Sequence, residues 1–287
     1  MINSYIKEKL DSSNVKTFNE FINVIREECQ KIILFSLSKT DFFDHVAFYG
    51  GTCLRIFHNL NRYSEDLDFN VISSDAQIDL GKYEKHCLNG LGAYGFNALI
   101  RTKDEYDTGE IKRRYFAIPV FDLSTEYFGK SVCNKEQNIS IKVEVSTEYV
   151  ENATYERKLL VSPLFASILC FDYPSLFAGK LHAILTRNWR DREKGRDFYD
   201  YIFYLSHEIK FNINYLKSKL SNSSKKNLSS LELEDIKKML IERFNNTNFD
   251  LVKQDINAFV IDINDLDSIN KDMFVMSVNL LKDASNN

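Results

Sequence analysis

The spacing of apolar residues along the chain predicts a group of short strands flanked by helices. Residues 17–38 carry apolar side chains at three- and four-residue steps, which is the period of an amphipathic helix. The apolar run at 46–49 is short enough to be a buried strand, and residues 139–147 alternate apolar and polar side chains as a half-buried strand does. Weaker patterns predict a helix at 76–95 and strands at 96–103, 111–121 and 155–170.

The last third of the chain has helical spacing almost throughout. Ser175 is a suitable N-cap for a helix that reaches about residue 188, and a highly charged loop then leads to a second helix that starts at Arg196. No glycine, proline or cysteine follows Gly195. Four further amphipathic segments indicate a small helical bundle, at 212–220, 230–244, 249–260 and 271–282.

The composition is that of a soluble globular protein. The chain has 287 residues, of which 44% are hydrophobic and 27% are charged, and its net charge is −4. This net negative charge argues against binding of nucleic acid by the overall charge of the protein, although it is compatible with a local basic cleft. The five cysteines are far apart and form no C-x-x-C pair, so we expect buried, reduced thiols in a cytoplasmic protein and no zinc site.

The sequence shows no targeting signal and no histidine motif that would indicate a particular function. The N-terminus lacks an apolar signal core, and no apolar run approaches the roughly 18 residues of a membrane span, so we expect neither secretion nor membrane insertion. The histidines show no metal-ligand spacing, and His58 and His182 are predicted to be structural or solvent-facing.

Two adjacent glycines, Gly50 and Gly51, follow the strand predicted at 46–49. They let the backbone turn sharply and let a ligand approach it closely. The residues from Thr52 to Leu60 have helical apolar spacing, and Thr52 is a good N-cap. The glycines would then lie at the positive end of a short helix, where backbone N–H groups bind phosphate.

Asp66 and Asp68 follow in the pattern Asp-Leu-Asp-Phe. Alternate residues of a strand share a face, so both carboxylates would point one way and repel each other unless a cation lay between them. Oxygen ligands of this kind suit magnesium, which proteins commonly hold with one or two carboxylates plus substrate phosphates. Either motif alone is usually a turn or a solvated strand edge, but the strand–glycine–helix–strand order is much more specific.

Charged residues on the predicted C-terminal helices form a second candidate cluster. Lys180 and Arg187 share one stripe of their helix, and Lys180 lies among apolar side chains, where a lysine either snorkels to water or is directed at a ligand. Asp197 and Asp200 share a face of the next helix. Basic residues also fringe the predicted sheet, where they either form a solvated hairpin or contact RNA phosphates: Arg101, Lys103, Lys112, Arg113 and Arg114.

Four motifs taken together resemble the AbiEii-type toxins, a branch of the polymerase-beta-like nucleotidyltransferase superfamily found in bacterial abortive-infection and toxin–antitoxin systems. They are GGTCLR at 50–55, RYSEDLDF at 62–69, Lys180 within LFAGKLHAILTR, and RDFYD at 196–200. The resemblance covers about residues 46–205. One departure is Gly50-Gly51 in place of the Gly-Ser of the wider superfamily, which removes a hydroxyl that could contact a phosphate.

The resemblance implies a two-lobed α+β protein. A polymerase-beta-like nucleotidyltransferase domain at 1–165, with a mixed sheet and flanking helices, would be followed by a helical lobe at 166–287 that closes the active-site cleft. Such proteins transfer a nucleoside monophosphate from a nucleoside triphosphate (NTP) to an acceptor, which for several relatives is the 3′ end of tRNA, and so arrest growth. The alternatives are a small-molecule acceptor and a catalytically silent nucleotide-binding partner protein; the presence of both Asp66 and Asp68 counts against the second.

The resemblance also implies a metal site. Asp66 and Asp68, with Glu144 on the strand at 139–147, would hold two Mg²⁺ ions that activate the attacking hydroxyl and neutralise the triphosphate. Glu148 is the fallback for the third carboxylate, and Glu144 is otherwise an exposed strand residue.

The remaining motif residues would bind NTP phosphates or orient the groups that do. The backbone from Gly50 to Thr52 would cradle the β- and γ-phosphates, and Lys180 would bind the triphosphate as a compact point charge, with Arg187 beside it. Arg62 would act similarly or form a salt bridge at the entry to the strand. Two acids of the next helix would orient these cations: Asp197, and Asp200 unless it lies at the helix surface.

Ser64 is the candidate regulatory position. If the strand of Asp66 extends that far, Ser64 shares the carboxylates' face, and a phosphate there would add about −1.5 to −2 charge beside groups that already repel one another. Phosphorylation by a kinase-like antitoxin would then silence the toxin; otherwise Ser64 is a turn residue that bonds to the local backbone. A cognate antitoxin is therefore an expected partner, besides NTP and RNA.

Overall fold

The computed structural model describes residues 2–101, 109–187, 193–257, 259 and 269–285. Within these residues the helices are α1 (Ser4–Ser12), α2 (Phe18–Leu37), α3 (Phe42–His45), α4 (Gly50–His58), α5 (Gly81–Ala93), α6 (Phe121–Phe128), α7 (Tyr173–Thr186), α8 (Gly195–Ser206), α9 (Ile213–Ser224), α10 (Leu233–Asn245), α11 (Phe249–Ile256) and α12 (Lys271–Ser277). The strands are β1 (Val46–Tyr49), β2 (Leu67–Val71), β3 (Leu99–Arg101), β4 (Ile111–Pro119), β5 (Asn138–Ser146), β6 (Tyr155–Leu160) and β7 (Ala166–Phe171).

The chain divides into two compact units, neither of which is continuous in sequence. The sheet unit comprises Met1–Phe57, Ser64–Tyr149 and Arg157–Cys170, and the helical unit comprises His58–Tyr63, Val150–Glu156 and Phe171–Asn287. The domain boundary expected at residue 165 stays a prediction, because compactness does not show which segments fold alone.

The strands form one mixed sheet of seven in the order β3-β4-β5-β2-β1-β7-β6. β2 pairs antiparallel with β1 and parallel with β5, and β1 also pairs parallel with β7. A mixed sheet with flanking helices is the α+β architecture that the resemblance implies, so the predicted fold class is confirmed.

The predicted hydrophobic patterns account for the core of the sheet unit. The capping box of α2 consists of Thr17 and Glu20, each of which accepts the other's backbone N–H. One face of β5 is buried throughout: Ile139, Ile141, Val143 and Val145. On its other face Lys142 and Glu144 are only half-buried, so the alternation predicted at 139–147 is confirmed. The cysteines are free thiols, all buried except the half-buried Cys133.

The helical unit packs around buried aromatic rings. Tyr201 of α8 and Phe244 of α10 have ring centroids 5.4 Å apart, and both rings contact Phe274 of α12. Gly195 begins α8 in close contact with α11, because a Cβ atom at this position would lie 2.1 Å from the Val252 carbonyl oxygen. Only a residue without a side chain permits this approach of two helices.

The structure corrects several predicted element boundaries. α4 begins at Gly50, so Thr52 is not its N-cap. α7 is capped by Asp172, whose carboxylate accepts the N–H of Ser175, so Ser175 is not its cap either. The strand predicted at 155–170 is the two strands β6 and β7, and α1, α3 and α6 have no counterpart among the predicted elements. Parts of four predictions lie outside the described residues: residues 102–103 including Lys103, residue 188, the loop at 188–192, and residues 258 and 260.

Candidate active site

Strands β2 and β5 bring the predicted carboxylates to one face of the sheet. Asp68 is the register partner of Glu144 in this parallel pair, so the two side chains project from the same face. Asp66 immediately precedes β2. Glu148 lies beyond the end of β5 and is exposed, whereas the strand pairing places Glu144 directly beside Asp68.

The turn at Gly50 lies against the Asp68 carboxylate. Tyr49, the last residue of β1, is the register partner of Asp68, and Gly50 then turns the chain with a φ of +84°. A Cβ atom on Gly50 would lie 2.8 Å from Asp68 Oδ2. Both the left-handed backbone and the close approach require glycine, so the first glycine of the motif makes room for the carboxylate.

Two buried side chains fix the segment that leads into β2. The Thr52 hydroxyl donates to the backbone carbonyl of Asp66. Gln30 of α2 donates to the carbonyls of Ser64 and Glu65, at 3.0 and 2.9 Å. Buried amides and hydroxyls are normally paired, and here the partners are the backbone that positions a carboxylate. Nothing in the sequence pattern of α2 distinguishes Gln30 from its neighbours, so its role is visible only in the structure.

A lysine lies between two of the three carboxylates. Lys142 Nζ is 3.2 Å from Asp66 Oδ2 and 3.1 Å from Glu144 Oε2, and Arg113 Nε is 2.9 Å from the same Glu144 oxygen. Burial lowers the pKa of Lys142, but Asp66 and Glu144 raise it by more, so the ammonium stays charged. Burial raises the pKa of Glu144, but Arg113 and Lys142 lower it by more, so the carboxylate is ionised. Lys142 was not a predicted site residue.

The donor set suits magnesium at the two aspartates and much less so at Glu144. Carboxylate oxygens are the ligands that magnesium prefers, and one or two of them are enough when substrate phosphates complete the shell. Glu144 already accepts from two cations. Among the described residues no group of three His, Cys, Asp or Glu side chains is arranged as a metal site. Asp66 and Asp68 are therefore the residues that would hold an ion.

A buried ion-pair network lies within the helical unit. Lys180 Nζ is 2.7 Å from Asp197 Oδ1 and 2.7 Å from Asp200 Oδ2. Arg62 donates to both oxygens of Asp200, from Nε at 2.7 Å and from Nη2 at 2.6 Å. Arg187 Nη1 is 2.5 Å from Asp197 Oδ2. Asp200 is fully buried and therefore is not a helix-surface acid, and Arg62 forms the salt bridge that was one of its two expected roles.

Neighbouring cations keep both acids of this network ionised. Burial raises the pKa of Asp197, but Lys180 and Arg187 lower it by more, so that it falls below its usual range. The pKa of Asp200 is lowered in the same way by Arg62 and Lys180. Since an ammonium group has three donors, the two carboxylates leave Lys180 with one N–H for a ligand.

Ser64 does not meet the condition for its predicted role. β2 begins at Leu67, so strand alternation does not extend back to Ser64 and does not place its hydroxyl beside the carboxylates. The strand begins where its pairing with β5 begins, at Leu67 opposite Val143. The carbonyl of Ser64 accepts a hydrogen bond from Gln30, which fixes this part of the chain for a structural reason.

Two residues of the predicted basic fringe, Arg113 and Arg114, are paired with carboxylates. Arg113 pairs with Glu144, and Arg114 Nε is 2.5 Å from Glu84 Oε1. Arg101 lies at the end of β3 and is exposed. These pairings reduce the charge that Arg113 and Arg114 could offer to an RNA phosphate.

Neither predicted structural histidine belongs to a metal cluster of the described residues. His58 is buried, and its ring centroid is 3.8 Å from that of Tyr173. Burial, with a smaller effect of Lys219, lowers the pKa of His182 to about 3, so this imidazole is neutral and fits a structural role.

The fold is that of a nucleotidyltransferase. MenT4, a nucleotidyltransferase toxin from Mycobacterium tuberculosis, has a TM-score of 0.51 at 12% sequence identity, and the match covers 99% of this chain and 91% of that one. At this identity the likeness shows the fold alone. The chain belongs to the family of nucleotidyl transferase AbiEii toxins of type IV toxin–antitoxin systems, whose family model matches residues 32–270. The family resemblance drawn from the four motifs is thereby confirmed.

Two further solved structures are similar at lower scores. JHP933 from Helicobacter pylori is 20% identical with a TM-score of 0.48, and the match covers 90% of each chain. A nucleotidyltransferase-like protein from Paracoccidioides brasiliensis is 15% identical with a TM-score of 0.41, over 69% of this chain and 88% of that one. No curated protein matches the chain significantly. In the described part of the chain, no helix is both long and apolar enough to cross a bilayer.

Proposed function

We propose that this protein transfers a nucleoside monophosphate from an NTP to the 3′ end of tRNA or to another RNA, with magnesium, and that it arrests growth in the cytoplasm. The observation that carries this proposal is the arrangement of Asp66, just before β2, and Asp68, on β2, with the Gly50 turn directly against the second carboxylate. Membership of the toxin family supports the reaction class and an antitoxin partner.

Asp66 and Asp68 would hold magnesium, with NTP phosphates as further ligands. When bound, the metal lowers the pKa of the attacking hydroxyl and neutralises charge on the phosphates. Thr52 and Gln30 hold the backbone at 64–66, so that the Asp66 carboxylate does not have to be ordered when substrate arrives.

Phosphate binding is proposed for the start of α4 and for Lys180. The N–H groups of Gly50, Gly51 and Thr52 are in the first turn of α4, where helix N–H groups lack partners within the helix. Lys180 would use its one remaining N–H for the triphosphate, while Asp197 and Asp200 fix the position of its ammonium group. Arg187, whose side chain is 41% exposed, retains donors for the same purpose.

The proposal is tested by incubating the protein with each of four radiolabelled NTPs and total RNA, with a small-molecule extract in a parallel reaction. We expect label in tRNA with one NTP. Asp66→Asn and Asp68→Asn should lower transfer roughly a thousandfold or more, because both remove metal ligands. Asp122→Asn, at an exposed position of α6, is the matched control and should retain full transfer.

Three results would contradict parts of the proposal. Label only in the small-molecule extract would replace the RNA acceptor with a small one while keeping the reaction class. Near-full transfer by both aspartate variants would remove the metal site from β2. If induced wild type and Asp66→Asn slow bacterial growth equally, growth arrest does not depend on the reaction.

A further inference from the structure

Lys142 occupies a position that a cation between the carboxylates would take. Its ammonium lies 3.2 Å from Asp66 and 3.1 Å from Glu144, and strand β5 presents Lys142 and Glu144 on the same face because they are alternate residues. The side chain is 23% exposed, so most of its surroundings are protein. Strand geometry therefore holds this lysine at the carboxylates.

We propose that Lys142 takes the place of one of the two metal ions, so that this chain binds a single divalent cation, at Asp66 and Asp68. The inference rests on the proposed metal-dependent function and changes the number of ions from the two that the family resemblance implies.

The charges at the site support one ion. Asp66, Asp68 and Glu144 carry three negative charges, and Lys142 with Arg113 carries two positive charges. One divalent ion at the aspartates therefore leaves a small positive excess to meet a triphosphate. A second ion bridging Asp66 and Glu144 would have to displace an ammonium that already contacts both, at a distance where like charges repel strongly.

The pairing of Arg113 with Glu144 also argues against a metal ion at Glu144. It is the register partner of Glu144 across the β4–β5 pair, and its Nε donates to the Glu144 oxygen that Lys142 also contacts. The Glu144 carboxylate thus accepts hydrogen bonds from two positively charged side chains. We infer that its role is to position Lys142 beside Asp66.

Binding of Mn²⁺ alone, followed by electron paramagnetic resonance, tests the inference without a turnover assay. The variants are Lys142→Met, which removes the charge at similar length, and Lys142→Arg, which keeps it. Lys82→Met on α5 is the control, because Lys82 is an exposed lysine of the same unit. Asp66→Asn shows which binding belongs to the site.

We expect one Asp66-dependent Mn²⁺ in the wild type, Lys142→Arg and Lys82→Met. Lys142→Met should bind two ions, or one ion at least about tenfold more tightly, because an adjacent positive charge has been removed. Melting temperature gives a second readout. In EDTA, Lys142→Met should melt below the wild type, because its carboxylates have lost a counter-charge, and Mn²⁺ should raise its melting temperature more than that of the wild type.

Each contrary result has a distinct meaning. Two Asp66-dependent ions in the wild type would overturn the inference and leave the proposed function in place. One ion of unchanged affinity in Lys142→Met would reduce Lys142 to a structural ion pair and also overturn it. The absence of saturable Asp66-dependent binding in wild type and Lys142→Met alike, both with Mn²⁺ alone and with a non-hydrolysable NTP analogue added, would remove the metal site and with it the proposed function. If Lys142→Met does not fold, Lys142→Gln and the wild-type stoichiometry decide between the same outcomes.

Discussion

Replacing Asp200 should weaken the helical unit more than any exposed substitution in it. Asp200 is fully buried, and its carboxylate accepts from Arg62 at 2.7 and 2.6 Å and from Lys180 at 2.7 Å. In Asp200→Asn the side-chain shape is kept but the counter-charge of Arg62 is lost. Arg62 is itself buried and then retains its hydrogen bond to the Tyr63 carbonyl and at most one neutral amide oxygen in place of the two carboxylate oxygens.

The size of the effect follows from the pairing that each cation keeps. Removing one partner of a buried ion pair typically costs about 3–5 kcal/mol, because a charge is left without compensation in a medium that solvates it poorly. Lys180 retains Asp197, so most of the loss falls on Arg62. We therefore expect a decrease of about 3 kcal/mol in the free energy of unfolding for Asp200→Asn. The total for a protein is about 5–15 kcal/mol, so the change is a large fraction of it.

Urea unfolding followed by far-ultraviolet circular dichroism measures this difference, and hydrogen exchange of peptides from α7 and α8 locates it. Glu242→Gln at an exposed site on α10 is the control and should change stability by less than about 0.5 kcal/mol. The double variant Arg62→Met/Asp200→Leu removes both charges and should be more stable than Asp200→Leu alone. The reasoning fails if Asp200→Asn matches the wild type, or if the double variant is no more stable than Asp200→Leu.

Three further predictions follow from the same geometry. Gly50→Ala should destabilise by about 1–3 kcal/mol and reduce nucleotide transfer, whereas Gly92→Ala, where an added Cβ meets no atom, should not; melting curves and label transfer measure both. Burial raises the pKa of Asp197, but Lys180 lowers it by more. The stabilising effect of this carboxylate is therefore complete above about pH 4 and is lost as pH falls through the lowered pKa. In Asp197→Asn the free energy of unfolding should depend less steeply on pH in the acid range, which unfolding measured at a series of pH values shows. Lys180→Arg should bind NTP weakly in a filter assay, because a planar guanidinium does not replace an ammonium held by two carboxylates, and wild-type affinity would exclude this role.

Elements whose signal is local were predictable from sequence. The stripe of α2, the alternation of β5 and the buried run of β1 each reside in consecutive residues, and the structure places them within about a residue of the prediction. The prediction of Asp66 and Asp68 as site residues is of the same local kind, since it uses two positions of one short segment.

Relations between distant segments were not predictable. Arg62 and Asp200 are separated by 138 positions, and nothing local marks them as partners. The sequence shows Lys142 only as a residue on the polar face of a strand, because its contact with Asp66 joins two distant segments of the chain. The condition set for Ser64, that the strand extends back to it, is not met for a related reason: where β2 begins is set by its pairing with β5, and one chain segment alone does not show it.

The sheet unit cannot assemble in the order in which a ribosome makes it. β1 pairs with β7 through Phe48 and Cys170, and β2 pairs with β5 through Asp68 and Glu144, so each pairing waits for a strand that is synthesised much later. Translation adds roughly 5–20 residues per second, so on the order of ten seconds separate the appearance of Phe48 from that of Cys170. The growing chain therefore carries Asp66 and Asp68 for several seconds before β5, the strand that pairs beside them, has been made.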